Sequence, residues 1–235
     1  MKLVLGRLSI LVGCLVCFNG TSFAQGYPTR PIEFVVAYPP GGANDIFARV
    51  LAQPLYESLG KPVVVKNVPG AGGTIGTAAV AKAVPDGHML LLGSSGSLVV
   101  APSLIPNLPY NPLRDLAPIT MVGIVPNILA VHPAIPVTST KELIAYAKAN
   151  PGKLTFGSSG IGGSGHLAGE LFNMMAGIKM THIPHKGSGP SVISLVGGQL
   201  SLTFENMLTL LPHVKAGKLR GLAVTTTYRS SVIPD

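Results

Sequence analysis

Residues 34–49 read FVVAYPPGGANDIFAR, and few local structures accommodate that order. Phe34, Val35, Val36 and Ala37 form a short apolar run that suits a buried strand. Pro39-Pro40-Gly41-Gly42 ends it, because two prolines and two glycines continue neither strand nor helix. Asn44 or Asp45 can cap a helix that starts at Ile46. The unit is therefore strand, tight glycine turn, helix N-terminus. Such a turn aims backbone N–H groups at one point, and the helix dipole adds partial positive charge there. That makes an anion site with no charged side chain, although the same residues also suit a plain β–α connection.

The pattern recurs along the chain. Pro54 should kink or break the first helix before its stop at Gly60. Residues 62–65 are strand-like, Pro69-Gly70-Ala71-Gly72-Gly73 is a second glycine turn, and Thr74 opens an alanine-rich helix to Val84. Residues 89–92 form a third strand, with Gly93-Ser94-Ser95-Gly96-Ser97 at its end. This βαβαβ order predicts a parallel sheet with right-handed crossovers. Residues 102–118 are proline-rich and irregular, and residues 119–123 and 128–131 read as strands. Ser139 and Glu142 have capping-box spacing before a helix ending near Asn150. Strands are expected at 154–156, 181–183, 200–204 and 219–225, with helices from His166, over 190–196 and over 207–216. Two α/β lobes joined near residues 124–127 fit this alternation.

A leader must be set aside before the fold is read. Lys2 and Arg7 precede an apolar stretch over 8–18, and Ser22-Phe23-Ala24 is a cleavage site before Gln25. This is a secretory signal. Leu11-Val12-Gly13-Cys14 offers a rival lipoprotein reading, but the later site fits better. Both cysteines, Cys14 and Cys17, lie in the leader, so the mature chain has no disulfide. Removing the leader leaves 15 basic and 9 acidic residues, a formal +6. The basic residues are scattered, which argues against nucleic-acid binding.

Residues 157–165, GSSGIGGSG, repeat the chemistry of the first turn and add three serine hydroxyls. In open α/β sheets ligands bind beyond the carboxyl ends of strands. Two such loops, one per lobe, could grip one ligand. Enzyme readings compete. Gly160, Gly162 and Gly165 match GxGxxG, but no Asp or Glu lies between Glu170 and Glu205 to bind a ribose. There is no P-loop motif and no GxSxG elbow, so Ser94, Ser95, Ser158, Ser159 and Ser164 read as hydrogen-bond donors. His182 and His185 have no third partner in sight for a metal. Asp45 and Glu205 could form a carboxylate pair, but acids beside an anion site more often cap or orient.

An ordered set of motifs carries a family resemblance. Tyr27-Pro28-Thr29-Arg30-Pro31-Ile32 precedes Tyr38-Pro39-Pro40-Gly41-Gly42, with Asp45 and Ala48-Arg49 following. Pro69-Gly70-Ala71-Gly72-Gly73, Pro85-Asp86-Gly87, Leu108-Pro109-Tyr110 and Gly157-Ser158-Ser159-Gly160 come next. His166-Leu167-Ala168-Gly169-Glu170, Lys186-Gly187, Gly197-Gly198-Gln199 and Lys215-Ala216-Gly217-Lys218-Leu219-Arg220 complete the set. In this order the chain resembles the extracytoplasmic solute receptors of tripartite tricarboxylate transporters, also called Bordetella uptake gene products.

The resemblance implies an α/β, two-lobe periplasmic-binding-protein fold of type II kind that closes on a small organic carboxylate. It implies a monomeric periplasmic receptor, without cofactor or metal, that delivers its ligand to membrane permease components. The loops implied to hold the carboxylate are Pro40, Gly41, Gly42, Asn44 and Asp45 in lobe one, and Ser158, Ser159, Gly160, Gly163, Ser164 and His166 in lobe two. Ser94, Ser95 and Glu205 complete the candidate site. The family often has Gln at Gly165, Tyr at His185 and Asp at Glu205, so ligand identity stays open. The expected layout is leader 1–24, lobe one 25–125, lobe two 126–225, and 226–235 as the start of a return to lobe one. Family members continue past the Ile233-Pro234-Asp235 motif, so part of lobe one is expected to be missing. An α/β hydrolase or nucleotide-using enzyme built on the same loops is the alternative.

Overall fold

The computed structural model describes residues 26–233. The leader reading, with Cys14, Cys17 and the cleavage site, lies outside the described residues, as do Pro234 and Asp235.

The first run forms β1 (Ile32–Val36), which pairs in parallel with β2 (Val63–Asn67) on one side and β3 (Met89–Leu92) on the other. Alternation along β1 sets the two faces. Phe34 and Val36 pack with Ala48, Leu51 and Leu55 of helix α1 (Ala43–Leu59). On the other face Ala37 lies against Gly76 of helix α2 (Thr74–Ala81), where a Cβ would stand 2.8 Å from the Ala37 Cα. Only glycine permits that approach of helix to strand.

Two local expectations are corrected. Helix α1 begins at Ala43, not Ile46, and Gly42 is its cap with no side-chain bond. It also runs unbroken through Pro54, which lies on the exposed face where water can take up the freed carbonyl.

The second sheet has the order β6-β5-β7-β4-β8, with β4 (Asn127–Val131), β5 (Thr155–Ser158), β6 (Thr181–Pro184), β7 (Leu202–Asn206) and β8 (Arg220–Val224). Strand β4 is antiparallel to both β7 and β8, whereas β5 is parallel to β6 and β7. Helices α3 (Thr140–Ala149) and α4 (Ser164–Ala176) cover one face, where Leu143, Ala147 and Phe172 meet Leu129, Phe156 and Phe204. Helices α5 (Ser188–Val196) and α6 (Met207–Lys215) cover the other, with Val192, Leu195 and Leu210 against Ile128 and Ala130.

The strand expected over 119–123 does not form. That stretch has no strand partner, and Ile119, Met121 and Ile124 are exposed. A β-branched run acquires strand geometry only when a neighbouring edge takes its hydrogen bonds. Past β8, Ile233 packs on the second sheet's core and the Ser230 hydroxyl contacts Met207 Sδ.

Candidate functional site

Parallel strands deliver their following loops to one edge. The loops after β1, β2 and β3 therefore gather on one side of the first sheet, and those after β5, β6 and β7 on one side of the second. The two sets meet. A Cβ on Gly160 would stand 3.6 Å from the Gly72 Cα, and one on Gly96 would stand 3.5 Å from the Gly162 carbonyl. One on Gly187 would reach Pro39 at 2.7 Å, and one on Gly189 the Pro40 carbonyl at 3.6 Å. Glycine lines both faces of this seam, where a Cβ would just touch the opposite backbone at Gly96, Gly160 and Gly189 and would clash with the Pro39 ring at Gly187.

Four of the helices that start at the seam share a second property. α1 starts at Gly42, α2 at Gly73, α4 at Gly163 and α5 at Gly187, and none has a side-chain cap. Their first N–H groups are free of the usual internal acceptor. Helix α3 gives the contrast. It leaves the C-terminal end of the antiparallel β4, at the opposite edge, and there Ser139 accepts a conventional bond from the Glu142 N–H at 3.2 Å. Among the described helices longer than one turn the uncapped starts all lie at the edge where an anion could use them, although α6, which also starts there, is capped by Asn206, whose side chain accepts from the Thr209 N–H at 3.3 Å.

Several candidate residues hold these loops in place. Asp45 is buried and its carboxylate is fully engaged. It accepts from the Gly41 N–H at 2.9 Å, from Asn67 Nδ2 at 2.9 Å and from Arg49 at 2.9 and 3.0 Å. Burial alone would raise its pKa, but the bonds from Arg49, Gly41 and Asn67 outweigh it and hold the carboxyl below its usual range. Gly41, with φ +85°, can turn the chain towards that carboxylate. Asn44 reaches across to the carbonyls of Leu92 and Gly93, each at 3.4 Å, and so ties the first loop to the third.

Ser158 is wholly buried. Its hydroxyl contacts His182 Nε2 at 2.7 Å, accepts from the Gly160 N–H at 3.2 Å and lies 3.2 Å from the Gly160 carbonyl. A serine beside a histidine is the arrangement a hydrolase would need. Here the serine is sealed inside its own turn. His182, between the rings of Phe156 and His166, has its pKa lowered to about 4, by burial first and then by His166. His166 Nδ1 accepts from the Gly162 N–H at 3.1 Å and so braces the glycine turn.

The remaining candidates line the seam. Pro40, Gly41 and Gly42 form the lobe-one turn. Ser159, Gly160, Gly163 and Ser164 form the facing turn, where the Ser164 hydroxyl is 3.4 Å from Asn127 Oδ1. Ser94 bonds Tyr38 at 2.9 Å, and Ser95, which is exposed, precedes a π-helical turn over Gly96–Val100. Glu205 lies at the end of β7, 2% exposed.

Sequence reasoning left out four residues that belong here. The Tyr38 hydroxyl donates to the Gly72 carbonyl at 2.9 Å and joins all three lobe-one loops. Gly187, Ser188 and Asn206 open α5 and α6, and Asn206 Nδ2 donates to the Ser188 hydroxyl at 3.1 Å. Their position directly after strands was a usable signal. A separate surface depression bounded by Arg30, Glu33 and Lys66 lies on β1 and β2 of the first sheet and shares none of these residues.

Comparison with known proteins agrees with this geometry. The family described as "Tripartite tricarboxylate transporter family receptor" matches residues 47–235. Protein BugT of Bordetella pertussis is 45% identical over 232 residues, 97% of this chain and 71% of that protein. The structure of R. palustris Rpa4515 with adipate superposes with a TM-score of 0.84 at 38% identity, over 86% of this chain and 68% of that one. MatC from Rhodopseudomonas palustris with bound malate also gives 0.84, at 30% identity, over 89% and 71%. The fold is that of the two-lobe periplasmic binding proteins.

Proposed function

The chain belongs to the tripartite tricarboxylate transporter receptor family, and from that premise we propose that it captures a small organic dicarboxylate between its two lobes. The observation that carries the reading is the paired set of glycine-started helices, α1 and α2 from one lobe and α4 and α5 from the other, meeting at one seam. Backbone N–H groups and dipoles at such starts favour carboxylate groups over neutral solutes. Adipate and malate, the ligands held by the two R. palustris proteins, both carry two carboxylates.

In this reading one carboxylate lies among the N–H groups of Gly42, Ala43 and Asn44 and those of Ile161 and Ser164, while Asp45, Ser158 and His166 take the N–H groups of Gly41, Gly160 and Gly162 and so keep those turns in shape. Closure over the acid then presents a changed surface to membrane permease components in the periplasm. The enzyme alternative loses its strongest support because the Ser158 hydroxyl is enclosed and bonded within its turn.

Isothermal titration with mono-, di- and tricarboxylates tests the reading, with the acid analysed afterwards. Binding of a dicarboxylate that is recovered unchanged is expected. Failure to bind any member of the panel, or conversion of one, would overturn it.

A further inference from the structure

Glu205 is the one acidic side chain at the seam whose oxygens are not both satisfied. It is 2% exposed, and Oε1 has no hydrogen-bond partner. The Ser188 hydroxyl and the backbone N–H groups of Asn206 and Ser159 lie beside the carboxyl, so it sits where β5, β6 and β7 give way to their helices. A Cβ on Gly165, in the first turn of α4, would be 3.9 Å from Glu205 Cδ. From the other lobe, the Tyr38 hydroxyl feels the charge of Glu205. The carboxyl therefore lies at the floor of the seam and is sensed from both sides.

An unpaired buried carboxylate oxygen is costly, and an anionic ligand beside it would raise that cost through like-charge repulsion. A protonated carboxyl resolves both difficulties, because its O–H can donate to the incoming carboxylate. We propose that Glu205 binds as the neutral acid and donates a hydrogen bond to a carboxylate oxygen of the ligand, so that capture takes up a proton. This rests on the dicarboxylate reading above and adds to it a residue that selects for anions and makes binding depend on pH. Burial raises the Glu205 pKa to about 7, partly opposed by Ser188 and the Asn206 and Ser159 N–H groups.

Other titratable groups near Glu205 are few. Strands β4 and β5 and helix α5 carry none, whereas β6 carries His182, packed against His166, and is followed by His185, bonded to the Ser194 hydroxyl. Helix α4 brings His166 and Glu170, whose side chains stand 4.0 Å apart. On α6 His213 and Lys215 lie in the last turn, away from the seam. Lys186, just before α5, is exposed, and Tyr38 faces from lobe one with its pKa raised by burial. Among the described residues no cation is paired with Glu205 that would hold it ionised.

Adipate is the probe, since both its carboxyl groups are ionised above pH 7 and add no slope of their own. Titration of the full chain from pH 7 to 9 should show affinity falling by up to about tenfold per unit. Calorimetry in two buffers of different ionisation enthalpy should show close to one proton taken up per adipate bound at pH 8.5. Glu205→Gln keeps a neutral donor but cannot titrate, so its affinity should show no slope from pH 6 to 9. The proton count needs no variant and stands whether or not Glu205→Gln folds. A flat parent profile with no proton uptake, or an unchanged slope in Glu205→Gln, overturns the role of Glu205 and leaves the dicarboxylate reading standing. Failure to bind adipate, malate or any other panel acid at pH 6 overturns both.

Discussion

Gly187 faces Pro39 so closely that a Cβ on the glycine would stand 2.7 Å from Pro39 Cδ. One residue precedes α5 on the second sheet and the other belongs to the first turn of the first, so this contact is a direct measure of how tightly the lobes seat. Gly187 also has φ +140° and ψ +169°, a region that only glycine occupies at little cost. Gly187→Ala should therefore act twice. Backbone strain should destabilise the second lobe by about 1–3 kcal/mol, and the methyl group should hold the lobes apart. Calorimetric melting will read the first effect. Ligand titration of the folded variant will read the second, as an affinity loss of about tenfold or more.

Gly165 differs in kind. A Cβ there would run into the Phe204 carbonyl of β7, so the position is fixed by packing of α4 on the sheet. Gly165→Ala should cost roughly 3 kcal/mol or more through displacement of helix from strand. Gly42→Ala meets only the Pro39 carbonyl at 3.9 Å, with φ −82°, and should fold normally. Melting temperatures of the two variants should thus separate widely. Equal stability would show that α4 can shift without penalty.

Asp45 supplies a prediction in acid. Its folded pKa lies below the unfolded value, so its stabilisation is present above about pH 4 and is lost as pH falls through the folded pKa. Asp45→Asn removes the charge opposite Arg49 and one acceptor for the Gly41 N–H or Asn67. A loss of about 1–2 kcal/mol at pH 7 is expected. The gap between parent and variant should narrow below pH 4, measurable by urea unfolding across that range.

What the sequence disclosed follows from what is local. The turn at Pro39 to Gly42, the GSSG loop and the Ser139 cap each depend on residues within a few positions, and each was readable. The antiparallel direction of β4 was not, because it is set by how the chain enters the second sheet. Residues 119–123 have strand composition, yet composition does not supply an edge to pair with. At the site, Asp45 and Ser158 are the polar residues a reader selects first, and burial turns their bonds inward. Tyr38 and Gly187 matter through contacts 34 and more positions away in the chain, which no local pattern announces. Glu205 stood out as a possible partner of Asp45 in a carboxylate pair and as an acid at a place where the resemblance expects Asp; its unpaired oxygen is a property of the packed structure.

His182 gives a second pH dependence with its own window. Its folded pKa of about 4 lies below the ordinary histidine value near 6.5. For a base shifted down, the unfolded chain binds the extra proton between these values. Stability should be full above about pH 6.5 and should decline as pH falls towards 4. His182→Gln keeps a donor for the Ser158 hydroxyl and removes the titration. The variant's melting temperature should change less than the parent's between pH 6.5 and 4.5, while above pH 7 the two should differ little.

The last prediction concerns salt. Arg49, about one helical turn past the first glycine turn, is already paired with Asp45 and donates to Asn67 Oδ1 at 3.2 Å. Lys186 is exposed beside Gly187. Neither the lobe-one turn nor the 157–165 loop contains Lys or Arg. The proposed binding rests on backbone N–H groups and hydroxyls enclosed at a seam, where ions in solution screen weakly. Equilibrium affinity for a dicarboxylate should therefore change by less than about threefold between low and 0.5 M salt. The association rate has a different origin. A positively charged surface gathers anions over distances comparable with the Debye length, so the rate should fall as salt rises, and the dissociation rate should fall with it. Stopped-flow rates measured beside equilibrium titrations separate the two. A steep loss of equilibrium affinity would transfer the binding energy from the glycine-started helices to Arg49 or Lys186, and Lys186→Gln would then separate the two, abolishing the salt dependence only where Lys186 is its source.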